Sequence, residues 1–357
     1  MNLVLLAQEP LITHYGAAES TRIGAALDAL ITARSAAGIV SQRYDPERGL
    51  PALGVAPAAL QEAALVAQLR AIDIALRERH MSLASLLIVG GPALIPFGRL
   101  LSPLADRDGP LLSDCSYALA SPGVPLSAWA VGRMPDANPP WPGLLLAQLE
   151  AAYAQHHRPR PRIGDIVGFS SAQWQDVSAA ALKAAPGARV LLAPPADAAM
   201  LAAILNPRLV VCNLHGVREA AAWYGQLPGR WRVCGGPPPR RCRCVTTNGL
   251  VQPGLLRWTH CPPADNGVGA AGERCDNVYL QPGVDLRRDR APSGESDLLV
   301  AGFVAALAQP GISAGNALRS AQAHMLRNVL STRGRLDGAE TKTLLSFLLY
   351  GDPTLEV

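Results

Sequence analysis

Apolar positions along this chain fall into short runs separated by stretches of helical spacing. Residues 3–8 form a brief apolar run that predicts a first β-strand. Glu19-Ser20-Thr21 then offers a helix start, continued at helical spacing by Ile23, Leu27, Leu30 and Ile31. A second strand opens at 38–40 and leads into a loop containing Pro46, Gly49 and Pro51. Residues 57–79 predict a long helix with Leu60, Ala64, Leu69, Ile72 and Leu76 on its buried face. The run 85–89 is continuously apolar after its first residue and ends in Gly90-Gly91-Pro92, which suits a parallel strand covered on both faces. Strand, helix, strand, helix, strand is the pattern of a doubly wound sheet.

The second half repeats the alternation. An irregular stretch at 93–120 precedes a short strand at 129–131, closed by Gly132-Arg133-Met134-Pro135, and a helix at 144–157. The basic sequence HHRPRPR at 156–162 reads as a linker, so two subdomains, 1–155 and 163–357, are expected within one domain. Strands at 165–169, 188–193 and 209–214 alternate with helices at 175–184 and 196–205. Late in the chain a helix spans 295–308, and Ser313 caps another with Ala317, Leu318, Ala321, Met325 and Val329 on one face. A last helix or strand at 341–350 stops at Gly351-Asp352-Pro353. The expected fold class is α/β, a central mostly parallel sheet with helices on both faces.

Composition narrows the function classes. No apolar run is long enough to cross a bilayer, so no membrane partner is expected. The start lacks a basic region, and Glu9 and Pro10 end its apolar run, so it reads as a strand, not a secretory signal, and a cytoplasmic location, or a domain cut from a longer protein, is expected. The net charge of +4 is unevenly placed: residues 227–290 hold ten arginines against five acidic residues, leaving −1 for the rest. That distribution gives no general nucleic-acid footprint. Five of the seven cysteines fall in the same segment, and the other two, Cys115 and Cys212, are expected to be buried small apolar residues in a reduced compartment.

One stretch, 210–226, carries a chemical signal. Its apolar run ends in Cys212-Asn213-Leu214, followed by His215 and Gly216. A hydrophobic strand that delivers a histidine into a glycine turn places an imidazole at the carboxyl edge of a sheet, where open α/β sheets locate their chemistry. Taken alone, the same pattern also fits a histidine held in a corner by a backbone carbonyl.

Four pieces of sequence occur together: LLIVGGPALIPF (86–97), LSDCSYA with AVGRMPD (112–118 and 130–136), VVCNLHG (210–216) and LLSFLLYGDPTLEV (344–357). In this order they resemble the gingipain-type branch of the caspase-like cysteine peptidases, itself similar to caspases and CHAT-domain peptidases. The resemblance spans the chain apart from 227–290. It implies a caspase-like fold, endopeptidase activity on a protein or peptide substrate, and no cofactor or metal. It implies that His215 is the base, that the Gly216 N–H faces the oxyanion, and that a cysteine nucleophile ends the next strand. It further implies that Asp176 selects a basic side chain next to the scissile bond; a helix N-terminal acid favouring the dipole is the other reading of Asp176. Asp114 is implied to be a structural or pocket residue, and Trp223 and Tyr224 to pack beside or line the site. His14, His80, His156, His157 and His324 show no partner pattern.

The strand that should carry the nucleophile is missing. The 64 residues from 227 to 290 contain no Ile, Phe, Met, Lys or Ser and are crowded with Arg, Pro, Gly and Cys. Such a segment is not expected to supply a central strand and helix. Translation of a GC-rich gene out of frame gives this composition. Start at the second base of the Gly254 codon, with CTN leucine and CGN arginine codons. Gly254-Leu255-Leu256-Arg257-Trp258-Thr259-His260-Cys261 then permits Ala-Cys-Tyr-Gly-Gly-His-Ile-Ala. The nucleophile would then lie at the codons read as Leu255 and Leu256. Other readings stay open. Cys234, Cys242, Cys244, His260, Cys261 and Cys275 could be zinc ligands in a true insertion, although the spacing lacks paired C-x₂-C knuckles. The segment could be a disordered loop, or Cys244 an in-frame nucleophile. The whole chain could equally be a non-catalytic caspase-like interaction or regulatory module, or use its basic segment to bind zinc or nucleic acid.

Overall fold

The structure, a computed structural model, describes residues 1–104, 110–121, 123–136, 141–157, 166–185, 187–193, 196, 200, 209–213, 215–216, 222–225, 242–246, 279–282 and 295–356. The chain opens with β1 (Asn2–Leu5), α1 (Gln8–Tyr15), α2 (Ala17–Ala36), β2 (Ser41–Tyr44), α3 (Glu62–Arg77) and β3 (Ser85–Val89). Two hairpins follow, β4 (Gly98–Leu100) with β5 (Leu111–Ser113) and β6 (Leu119–Ser121) with β7 (Val124–Ser127), separated by a 3-10 turn at Asp114–Tyr117. Then come β8 (Ala130–Met134), α4 (Pro142–His156), β9 (Ile166–Ser171), α5 (Gln175–Leu182), β10 (Arg189–Ala193) and β11 (Leu209–Asn213). Short strands β12 (His215–Gly216), β13 (Ala222–Gly225), β14 (Cys242–Thr246) and β15 (Tyr279–Pro282) precede α6 (Glu295–Leu307), α7 (Ala314–Arg333), α8 (Gly338–Ser346) and β16 (Phe347–Tyr350).

These strands build two parallel sheets. The larger runs β15-β16-β8-β3-β1-β2 and is parallel except at the β15–β16 edge pair. All five residues of β3 are buried, as its unbroken apolar run requires, and each leucine-sized side chain so covered contributes about 1.5–3 kcal/mol. The smaller sheet runs β10-β9-β11, all parallel. Helix α6 packs towards both. Leu299, Phe303 and Leu307 join Ala317, Ala321 and Met325 of α7, while Val304 joins Ile166 of β9 and Leu182 of α5. Val300 packs against both groups, so the apolar stripe of this helix is wide enough to serve two neighbouring layers. Among the described residues no helix is long and apolar enough to cross a membrane.

The structure refines the sequence expectations in several places, and the second strand runs Ser41–Tyr44, beyond 38–40. The first strand ends at Leu5, and 8–15 is a separate helix; Pro10 is tolerated there because the first turn has no N–H acceptor to lose. The stretch 93–120 contains hairpin strands and a 3-10 turn. Residues 341–350 are both helix and strand, changing at Ser346 to Phe347. The segment 227–290, expected to supply no central strand, holds β14 and β15 among its described residues, each at the edge of its sheet. Strand β15 lies on an edge, where pairing with one neighbour suffices and Pro282 costs no ladder bond on the open side.

The carboxyl-terminal strand is locked inside the larger sheet. The Gly351 N–H donates to the Arg133 carbonyl at 2.8 Å, and Tyr350 stands opposite Arg133. Gly132 must be glycine here, because a Cβ would strike the Gly351 carbonyl oxygen and come within 2.8 Å of Pro353 Cδ.

Candidate active site

Topology marks a crevice in the smaller sheet. After β9 the chain passes through α5 to β10 on one side, then crosses to β11 on the other. The carboxyl ends of β9 and β11 therefore diverge, which is the switch point where open α/β sheets bind ligands. Ser170 and Ser171 end β9, and Asn213 ends β11 in register with Ser170. His215 and Gly216 follow two and three residues later, so both residues lie at this edge. They do not form the expected glycine turn. They are the first strand of a small antiparallel sheet, with His215 opposite Tyr224 and Gly216 opposite Trp223. The backbone of Trp223 and Tyr224 thus runs alongside the histidine. In the next pair Trp223 faces Val245 and Tyr224 faces Arg243, so Cys244 is the extra residue of a bulge.

The β9 side of the crevice is built by serines. Ser170 and Ser171 are fully buried. The Ser170 hydroxyl lies 2.7 Å from that of Ser178, in α5, and 3.0 Å from the Ser171 carbonyl oxygen, to which it donates. The bond between the two hydroxyls contributes about 0.5–1.5 kcal/mol and fixes α5 against the strand end. Asp176 is exposed in the first turn of α5, where a carboxylate complements the helix N-terminus.

The larger sheet has a comparable switch point between β1 and β3, but it is closed over. Gly90 and Gly91 are buried there, and a Cβ on Gly91 would lie 2.8 Å from that of Asp136. Asp136 in turn meets His14, with Oδ2 2.9 Å from Nε2. Around this closed edge, the stretches 90–97, 114–117 and 130–136 form a framework of buried charge. Arg133 is fully buried and donates from Nε and Nη2 to the two Asp114 oxygens at 2.9 and 2.6 Å. It also donates to the carbonyls of Gly90, Ile95 and Pro96 at 2.8, 2.9 and 3.2 Å, and stacks 4.3 Å from the centre of the Phe97 ring. Burial works against its charge, but Asp114 outweighs that and holds the guanidinium more firmly protonated than usual. Both Asp114 oxygens are thereby engaged. Cys115 is buried, and burial pushes its thiol up, so it is held as the thiol and not as a nucleophilic thiolate.

A second buried cluster ties the tail down. Asp352 accepts from Arg34 Nε at 3.1 Å and Nη2 at 2.5 Å, and lies 3.0 Å from His156 Nε2. Burial alone would raise the Asp352 carboxyl; the charge of Arg34, then the hydrogen bonds from His156 and Arg34, hold it far below its ordinary range. Sequence reasoning assigned no partner to His14 or His156, because their aspartates lie 122 and 196 residues away. Only for Arg133 was a signal available, an arginine inside an apolar strand, which demands an acceptor wherever it is buried.

Among the described residues no group of three or more His, Cys, Asp or Glu could hold a metal. Of the zinc set named above, Cys242 and Cys244 lie on β14. Cys234, His260, Cys261 and Cys275 lie outside the described residues, as do Leu255 and Leu256. The helix expected at 196–205 also falls outside them except at 196 and 200.

No known family profile matches the sequence, and no curated protein matches it. Solved structures do. A complex of the Porphyromonas gingivalis RgpB pro- and mature domains is 11% identical with a TM-score of 0.64, covering 100% of this chain and 80% of that one. The Arg-specific cysteine proteinase gingipain R (RgpB) is 12% identical with a TM-score of 0.65, covering 100% and 78%. A third, described as a protease, is 10% identical with a TM-score of 0.60, covering 99% and 78%. At these identities the likeness shows the fold, a caspase-like α/β architecture shared with the gingipains.

Proposed function

We propose that this chain is built as a cysteine-type endopeptidase of the gingipain kind, acting on protein or peptide substrates with His215 as general base. The observation that supports it is the placement of His215 and Gly216 at the carboxyl edge of the β9–β11 switch point. The chemistry is thiolate attack on a peptide carbonyl, expulsion of the amine with a proton from the imidazolium, and hydrolysis of the thioester by water. Gly216 is a backbone donor for the oxyanion, Asp176 the acid that prefers a basic side chain beside the scissile bond, and Trp223 a wall of the site.

The nucleophile is assigned to the shifted reading frame. Among the described residues β11 pairs with β9 alone, and one more parallel strand on its far side is compatible with that pairing. Ala-Cys-Tyr-Gly read from codons 254–258 is a fitting end for such a strand. In its written frame the chain is catalytically silent. Nucleotide sequence across codons 226–290 tests this directly: if no frame there encodes a strand ending in cysteine, the assignment fails. A thiol-directed acyl inhibitor is expected to label the frame-restored chain and not the written one, and His215→Ala in the restored chain is expected to slow labelling about 10²–10⁴-fold.

One observation favours a second reading. The bulge sets Cys244 on the strand second from His215, roughly 10 Å away between Cα atoms at ordinary strand spacing. Bulges re-aim side chains beside active sites. Labelling of the written chain that disappears in Cys244→Ser would establish Cys244 and overturn the frameshift assignment.

A further inference from the structure

A base on an edge strand needs support. His215 and Gly216 make up the whole of β12, which lies at one edge of the small antiparallel sheet β12-β13-β14. Among the described residues, β13 alone pairs with it. Strand β13 is the middle strand of the three and is paired on both sides. Tyr224 stands opposite His215 on one side and opposite Arg243 on the other. The same strand also lies against β9 and β10, which fixes its place beside the crevice.

A general base works only while its imidazole keeps the right orientation towards the proton that it takes, and a third group does the orienting. Register limits which residue can do so here. Directly opposite positions of an antiparallel pair have Cβ atoms about 4.5–5.5 Å apart and share one face of the ladder. Successive residues alternate between faces. Tyr224 is therefore placed on the face of His215, and Trp223 on the face of Gly216. One residue of register sorts two adjacent aromatic residues between the base and the oxyanion donor. A tyrosine suits the task at the base, because its ring is flat, stacks on other rings and has few torsions to immobilise.

We infer that Tyr224 is the positioning residue of the base, its ring holding the His215 imidazole in the orientation that serves the nucleophile. This role rests on the one proposed above for His215. It holds for a nucleophile in the shifted frame and for one at Cys244.

Two measurements separate the role of Tyr224 from that of His215. The first needs no activity. In the full written chain with isotope-labelled histidine rings, the His215 resonance is the one lost in His215→Ala. It is expected to shift in Tyr224→Ala, to stay near its wild-type position in Tyr224→Phe, and to move less in Trp223→Ala than in Tyr224→Ala. A resonance unmoved by Tyr224→Ala, or moved further by Trp223→Ala, overturns the proposal. The second is labelling of the frame-restored chain by the thiol-directed acyl inhibitor. Tyr224→Ala is expected to slow the rate at saturating inhibitor about ten- to hundredfold, as misplacement of a reacting group does, with the half-saturating concentration little changed. Tyr224→Phe is expected to restore the rate. Should Tyr224→Ala not fold, Tyr224→Leu replaces it in both measurements. A saturating rate that His215→Ala slows and Tyr224→Ala does not overturns the role of Tyr224 alone. A rate that His215→Ala leaves unchanged overturns the reading of His215 as base, and the role of Tyr224 with it.

Discussion

Arg34 and Asp352, 318 residues apart in sequence, form a doubly hydrogen-bonded ion pair with no exposure of either side chain. Removing one partner of such a pair leaves the other charge buried and uncompensated, which costs about 3–5 kcal/mol. Asp352→Asn is therefore expected to lower the midpoint of urea unfolding strongly with little change in slope. A midpoint within error of wild type would show that the tail is not a structural clamp.

The same carboxylate sets an acid limb. Its pKa in the folded chain lies well below the ordinary 3.8 that it regains on unfolding. A group depressed in the folded state adds stability above its unfolded value and loses that contribution as pH falls through the folded one. Urea midpoints measured from about pH 5 down to about pH 3 are expected to fall more steeply for wild type than for Asp352→Asn. Parallel curves for the two would contradict the assignment.

Arg133→Lys should behave as a severe change. A lysine has no planar fork to span both Asp114 oxygens and cannot also reach the carbonyls of Gly90 and Ile95. Loss of charge-assisted bonds at a fully buried position predicts destabilisation of at least about 2 kcal/mol by chemical denaturation. Full stability in the lysine variant would mean that the fork geometry is dispensable.

Ser178→Ala tests the wall of the crevice. It removes one of the two partners of the buried Ser170 hydroxyl, which keeps its bond to the Ser171 carbonyl, and is expected to cost about 1 kcal/mol. Amide hydrogen exchange should quicken in the first turns of α5 while β3 stays protected. Uniform quickening across both would point to a global effect instead of a local anchor.

Cys115 should resist alkylation in the folded protein and react on unfolding, since burial both screens its sulfur and keeps it protonated. Peptide mass analysis after iodoacetamide treatment with and without urea distinguishes the two states. Modification of Cys115 at a comparable rate without urea would count against its buried placement.

Much of the fold was legible because its signals are local. The run 85–89 could only be a covered strand, and Ser313 announced α7 by its cap, accepting from the Asn316 N–H at 3.4 Å. The site was legible in part: the strand before His215 marks an edge by its apolar run. What escaped depends on distance. Nothing near Arg133 or His156 in sequence names Asp114 or Asp352, since a buried ion pair is chosen by topology and not by spacing. Nor does alternation say which sheet a strand joins. The run at 347–350 follows three helices, yet enters the larger sheet between β8 and β15 because Gly132 leaves space for Gly351 and Pro353.

That insertion has a consequence for biosynthesis. Strand β8 is made more than 200 residues before the strand that covers its edge. Until 347–352 emerge, nascent chains carry an uncovered parallel edge and an Arg34 without its counter-charge. Such edges pair indiscriminately. A message truncated anywhere downstream of β8 would thus yield a polypeptide marked for chaperones and proteases. A reading-frame slip inside 227–290 that is corrected before 295 would escape that surveillance, because the closing strand would still arrive.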